Sequence, residues 1–231
     1  MARRPARQPD LPPELAQLVA GLTLDEMRGL LPQLLTHGDQ QMLLDARRKP
    51  ASRRQPRRDP ATLVLRIDLA GAKPPVWRRV EVPSTLMLDH VHDLLQLLFG
   101  WYDGHLHRFA LGSSVWDRDA ESFLSGYDLD EGEQEGTPEA EVRLDEVLAE
   151  PGDVLRYVYD YGDEWLHTLK LEKVLPEPCL RLRVLAGKHE APAEDSGGIW
   201  TWNDDPDLEP LDVELLDEDV AEWGAEHVLA Q

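Results

Sequence analysis

The sequence predicts an α+β domain: a twisted, largely antiparallel sheet with packed helices, preceded by a helical N-terminal appendage. Three observations lead there. The hydrophobic period changes from helical to alternating at Thr62. Five strand-like segments then follow with turn chemistry between them. One clear amphipathic helix interrupts them, without the regular strand–helix alternation of a parallel sheet.

Residues 1–45 carry the appendage. Thr23-Leu24-Asp25-Glu26 has the form of a capping box, and Leu24, Met27, Leu30, Leu31, Leu34 and Leu35 follow at helical spacing. Pro32 and Gly38 split the segment into two or three short helices. So short a piece buries too little surface to stand alone, so it needs a surface to dock on. Residues 46–60 read as a basic linker. From Ala46 to Arg58 there are seven bases, two prolines and no acid. Such a block is a solvated linker lying against an acidic body, or alternatively an arm for nucleic acid.

The main domain is expected over 61–205. Leu63, Leu65, Ile67 and Leu69 alternate with polar neighbours, and Val76–Val82 returns after Gly71-Ala72-Lys73-Pro74-Pro75, which makes a hairpin. A helix over Leu88–Phe99 places Leu88, Val91, Leu95 and Leu98 on one face, with Asp89 in its first turn and Gly100 to stop it. His105–Leu111 forms a third strand. Residues 117–150, with 13 acids and two bases, read as a long exposed loop closing into a short helix near Leu144–Leu148. Asp153–Tyr161 and Leu166–Val174 are two further strands joined at Gly162-Asp163-Glu164. Residues 206–231 form an acidic C-terminal segment with an amphipathic stretch over Val213–Leu229.

Charge narrows the function. The chain of 231 residues carries 45 acids and 24 bases, a net −21. Residues 1–60 hold 11 bases and 7 acids (+4), while 61–231 hold 13 bases and 38 acids (−25). The main domain therefore repels a nucleic-acid backbone, and only the linker 46–58 suits one. Cys179 is the sole cysteine, so no internal disulfide forms. With no signal-peptide pattern and no long apolar run, the expected setting is cytoplasmic, away from membranes.

Motifs in a familiar order carry a resemblance. Ala72-Lys73-Pro74-Pro75-Val76-Trp77-Arg78-Arg79-Val80-Glu81-Val82-Pro83 is followed by His92-Asp93-Leu94-Leu95-Gln96, Gly100-Trp101 and His105-Leu106-His107-Arg108-Phe109. Next come Tyr159-Asp160-Tyr161-Gly162-Asp163-Glu164-Trp165-Leu166-His167 and Leu185-Ala186-Gly187. Pro192-Ala193-Glu194-Asp195-Ser196-Gly197-Gly198 closes the series. Over residues 62–203 the chain resembles the ORF-three-like family named for a root-inducing (Ri) plasmid. Its members are often labelled resolvase-like or insertion-element passenger proteins. The resemblance implies an α+β domain and no established activity. Relatives often carry cysteines where this chain has Val184, Ala191 and Ser196, and Cys179 matches none of those positions. Any thiolate metal site in the family is thereby lost here. Resolvase chemistry does not fit either, because the first serine, Ser52, lies in the linker and the main domain has the wrong sign for a phosphate.

Two sets of residues carry the candidate chemistry. His105-x-His107 on a strand directs both imidazoles to one side, and with Asp160, Asp163 and His167 this offers a divalent metal a His/Asp site. The competing reading makes His107 and His167 hydrogen-bonded buried groups and lets the 160–163 turn cap itself. No other cofactor is expected. The binding set is Trp77, Arg79, Trp101, Trp165, Glu194 and Asp195, the aromatics as core or pocket wall and the carboxylates as a turn or pocket lining. Arg78 and Arg79 fall on opposite faces of one strand. The function favoured is a non-catalytic binding module for a protein partner with a basic surface. A metal-assisted hydrolase built on the His/Asp set is the alternative, and an acidic mimic of nucleic acid is a further one.

Overall fold

A computed structural model of the chain describes residues 52–130, 136–206 and 209–229. The expected appendage 1–45 and the first part of the basic linker lie outside the described residues. The strands in chain order are β1 (Thr62–Leu69), β2 (Trp77–Pro83), β3 (His107–Ala110), β4 (Ser122–Leu124), β5 (Thr137–Pro138), β6 (Val154–Tyr159), β7 (Trp165–Leu175) and β8 (Arg183–Lys188). The helices are α1 (Leu88–Phe99), α2 (Gly126–Asp130), α3 (Leu144–Val147), α4 (Gly198–Asp204) and α5 (Val213–His227). All eight strands make one sheet in the order β5-β4-β3-β6-β7-β1-β2-β8. Only the short β4–β5 pair is parallel, so the α+β reading holds.

Alternation in β1 does what the pattern predicts. Leu63, Leu65, Ile67 and Leu69 point inward and are all but fully buried, and across the register stand Val82, Val80 and Arg78 of β2 and Leu171, Leu169 and His167 of β7. Helix α1 lies on this inner face, burying Leu88, Val91, Leu95 and Leu98. Side chains of Val or Leu size enclosed this way contribute about 1.5–3 kcal/mol each. Gly100 takes a left-handed φ of 69° and ends the helix.

Arg78 belongs to this core. Its guanidinium is fully enclosed, donating from Nε to the Leu98 carbonyl at the end of α1 (2.9 Å) and from Nη1 to the His189 carbonyl (2.8 Å). Among the described residues its hydrogen bonds all go to backbone carbonyls. Arg79, one residue on, faces outward and makes a two-pronged pair with Glu172 (2.7 and 2.9 Å).

Three segments differ from the sequence reading. The acidic stretch 117–150 is not one exposed loop: β4 lies within it, and Phe123, Leu124, Val142 and Leu144 are fully buried. Hydrophobic residues spaced widely among acids hide such a strand. The segment 206–231 is not a flanking tail, because α5 packs on β8 and inserts Val220 into the core. Asp217 fixes it by accepting from the Val184 amide (2.7 Å) and from Arg181 (2.9 Å). The described end of the basic linker is laid down on the domain. Arg53 pairs with Glu121 (2.7 Å), Arg54 with Asp153 (3.1 Å), and the Arg54 amide donates to the Glu146 carbonyl (2.8 Å).

Candidate functional site

One end of the sheet gathers the motif residues: β3 begins there, β6 ends there and β7 begins there. Cross-strand register places His107 beside Tyr159, and Tyr159 beside Trp165. The turn after α1 brings Trp101 onto this end. It stacks on Phe99 and Tyr159 (centroids 5.4 and 5.2 Å) and meets His167 edge-on. Trp101 and Trp165 are 6% and 0% exposed, so both are walls, with no face open for stacking a ligand.

The Tyr159–His167 motif and the double-glycine motif are built as one unit. Asp163 accepts from the Gly197 amide (2.9 Å), and a Cβ at Gly198 would stand 2.6 Å from the Asp163 carbonyl oxygen. Gly197 and Gly198 also hold φ of 87° and 76°. Glycine is required on both counts. This junction, with the Trp101 indole donating to the Pro192 carbonyl (2.9 Å), delivers Glu194 and Asp195 to the site. Glu194 accepts from the Tyr159 hydroxyl and from the Tyr102 amide (2.8 Å). Burial, reinforced by Glu194, pushes the Tyr159 hydroxyl well above its usual range. His105 Nε2 lies 3.0 Å from Asp195 and 3.8 Å from Asp160. Asp103, Asp160, Glu164 and Asp195 are four of the five described non-glycine residues with left-handed φ, and all four surround this end. Strained backbone of this kind gathers where a site is held in place by its surroundings.

His107 goes elsewhere. His105 precedes β3 in a bend, so the two imidazoles do not share a strand face. His107 Nε2 faces both oxygens of Glu139 (3.0 and 2.9 Å), and its ring stacks on His92 of α1, with centroids 3.5 Å apart and planes within 6°. His92 completes a closed network. Nδ1 meets the Tyr157 hydroxyl (2.8 Å), Nε2 meets Asp103 (2.8 Å), and Gln96 bridges the Tyr157 hydroxyl and the Asp103 amide. Burial, with His107 alongside, lowers His92 to about 4. His167 lies deeper still, its Nδ1 bonded to the Trp165 carbonyl (2.9 Å), and burial lowers it to about 3.

Of the expected ligand set, the structure therefore brings together His105 and Asp160, joined by Asp195 and Glu194 from the binding set. His107, Asp163 and His167 each have separate partners. Trp77 and Arg79 sit on the opposite, outer face, where the Arg66 guanidinium covers the Trp77 ring at 4.3 Å. Three residues escaped the sequence reading. Glu139 lies 32 positions from its partner in an acidic run, and nothing local marks it. Asp103 follows a helix end without a motif of its own. His92 did leave a signal, because an imidazole on the apolar stripe of α1 demands a polar partner. A cleft of about 550 Å³ opens beside these groups, lined by Asp103, Gly104, His105, Leu106, His107, Ser125 and Tyr127.

Comparison with known proteins agrees with the motif order. The family model described as plasmid pRiA4b ORF-3-like protein matches residues 61–223, which takes in most of α5. An uncharacterized protein, y4hQ, of Sinorhizobium fredii is 32% identical over 149 residues, covering 61% of this chain and 69% of that protein. The crystal structure of a protein of unknown function, MM3350, from Methanosarcina mazei Go1 superposes with a TM-score of 0.56 at 25% identity, covering 70% of this chain and 98% of the other. With the family match spanning the whole sheet and the site at its end, this chain belongs to the plasmid pRiA4b ORF-3-like family.

Proposed function

We propose that the domain is a non-catalytic binding module whose acidic face takes an arginine-bearing segment of a protein partner. The observation that supports it is the way the domain holds its own basic segment. Arg53, Arg54 and Arg57 lie against Glu121, Asp153 and the Ala149 carbonyl, and the Arg53 guanidinium stands 5.9 Å from the Phe123 ring. Ion pair, carbonyl, aromatic ring and a backbone amide together read the chemistry of an arginine-rich segment. Exposed pairs of this kind are worth under about 1 kcal/mol each, so a partner in trans displaces the segment readily. A domain at −25 also speeds encounter with a basic surface.

The test is fluorescence anisotropy with a labelled peptide copying residues 46–58, added to full chain carrying Arg53→Ala, Arg54→Ala and Arg57→Ala. Saturable binding that weakens with salt and falls about tenfold or more on adding Glu121→Lys and Asp153→Lys supports the reading. Binding that never saturates, or that ignores the charge reversal, refutes it.

A further inference from the structure

We infer that His105, Asp160 and Asp195 form a binding site for one divalent first-row transition-metal ion, with Glu194 at its edge. His105 comes from the bend before β3, Asp160 from the turn between β6 and β7, and Asp195 from the segment between β8 and α4, so only the fold assembles them. One donor atom of each lies within 4.8 Å of the others. His105 Nε2 stands 3.0 Å from Asp195 Oδ1, 3.8 Å from Asp160 Oδ2 and 3.9 Å from Glu194 Oε1. Three donors at such spacings share a central point about 2.0–2.4 Å from each, which takes in the bond lengths of such an ion to imidazole nitrogen and carboxylate oxygen.

Two observations beyond the spacing point to a cation. Asp160 is only 8% exposed, and its two oxygens are treated differently. Oδ1 accepts from the Gly162 amide (2.8 Å), whereas Oδ2 has no hydrogen-bond donor among the described residues and stands beyond hydrogen-bond range of the imidazole. An enclosed carboxylate oxygen without a donor is costly. Charge is the second observation. The Glu194 side chain is 3% exposed, and neither it, Asp160 nor Asp195 is paired with lysine or arginine among the described residues. One imidazole cannot balance three carboxylates, and a divalent ion supplies the missing positive charge.

The surroundings suit ligation. The Tyr159 hydroxyl and the Tyr102 and Gly104 amides donate to Glu194 and fix its charge beside the ion. The Tyr159 ring stands steeply to the imidazole, with centroids 5.8 Å apart and planes at 72°, and braces its orientation. His105 lines the cleft and Asp195 is 75% exposed, so the ion has a path in from solvent. Three protein donors leave positions open for water or for a donor atom of a partner. An imidazole among carboxylates suits zinc, manganese, iron or cobalt over magnesium or calcium.

The experiment uses tag-free full chain, stripped with chelator and titrated with Zn²⁺ by calorimetry in about 0.15 M salt, which screens loose attraction to the acidic surface. One equivalent is expected. Asp160→Asn, Asp195→Asn and His105→Ala should each weaken binding about tenfold or more, while Asp68→Asn on the outer face leaves it unchanged. Asparagine at position 160 keeps an oxygen for the Gly162 amide and tolerates left-handed backbone, so the turn survives. Circular dichroism confirms that the variants fold, and Asp195, at the surface, provides the substitution least able to disturb the core. Wild-type chain that takes up no Zn²⁺ would overturn the assignment. Uptake of several equivalents that all four variants share alike would overturn it equally, since the acidic surface alone then holds the ion.

Discussion

Replacing His167 with phenylalanine should remove about one proton's worth of acid sensitivity from folding. His167 is 1% exposed, enclosed by Phe99, Trp101 and Tyr157, and its Nε2 has no hydrogen-bond partner among the described residues. Burial is the main reason its pKa falls from 6.5 to about 3, and the nearby Arg78 guanidinium adds to it. An unfolded chain binds a proton at this residue below about pH 6.5, whereas the folded chain refuses it until about pH 3. Stability contributed by the neutral ring is therefore complete above pH 6.5 and drains away as pH falls toward 3.

Integrating the linkage between pH 7 and pH 5 gives a loss of about 2 kcal/mol for His167. His92, held at about 4 by burial and by His107, adds a similar loss over the same window. Phenylalanine keeps the edge-on ring contacts, gives up one hydrogen bond of about 1 kcal/mol and removes the orphaned nitrogen. At pH 7 the variant should lie within about 1 kcal/mol of wild type. Urea unfolding of both proteins at pH 7, 6 and 5 measures the rest, since carboxylate titration is common to both and cancels. The gap should move by about 2 kcal/mol in favour of the variant at pH 5. A gap constant to within about 0.5 kcal/mol would refute the claim that His167 is buried neutral.

Two further outcomes follow from the backbone and the core. Gly198→Ala forces a Cβ to 2.6 Å from the Asp163 carbonyl at a φ of 76°, and should cost about 2–4 kcal/mol in urea unfolding while loosening the Glu194–Tyr159 contact. Arg78→Met and Arg79→Met should differ sharply in the same assay. The first leaves the Leu98 and His189 carbonyls unpaired inside and costs about 3 kcal/mol or more. The second breaks an outward pair with Glu172 and costs under about 1 kcal/mol.

How much of this was legible depended on how each element earns its burial. Strands β1, β2, β6 and β7 sit at the centre of the sheet, and most of their inward residues are apolar or aromatic at every second position, with Arg78 and His167 as the polar exceptions, so the pattern shows. Helix α1 declares itself by a stripe and a stop at Gly100. Strand β8 lies at an edge, and only Val184 of its six residues is buried, so almost nothing in Arg183–Lys188 distinguishes it from a loop. Helix α5 is acidic along most of its length and buries only Val220 and Gly224, which makes it look like a tail. The site suffered most. Period-two reasoning carried His105 and His107 to one face, but the strand starts at His107, and two residues of extended geometry were assumed where the chain bends.

The same comparison bears on what the motifs are for. If they served only to pack the core, their polar members would be scattered along the sheet wherever a hydrogen bond was needed. They instead converge on one end, and the polar partners that sequence spacing could not supply, Glu139 and Asp103, arrive at that end too. Packing alone gives no reason to stack two imidazoles and aim both at carboxylates, when a pair of leucines would fill the space without the desolvation cost. Nor does it explain why four aspartate or glutamate residues in the turns at this end of the sheet accept left-handed backbone. The fold tolerates these costs at this end of the sheet, while the outer face solves its own charges with ordinary pairs such as Arg66–Asp68 and Arg79–Glu172. That asymmetry is the physical ground for treating the end of the sheet as a site and the outer face as a surface.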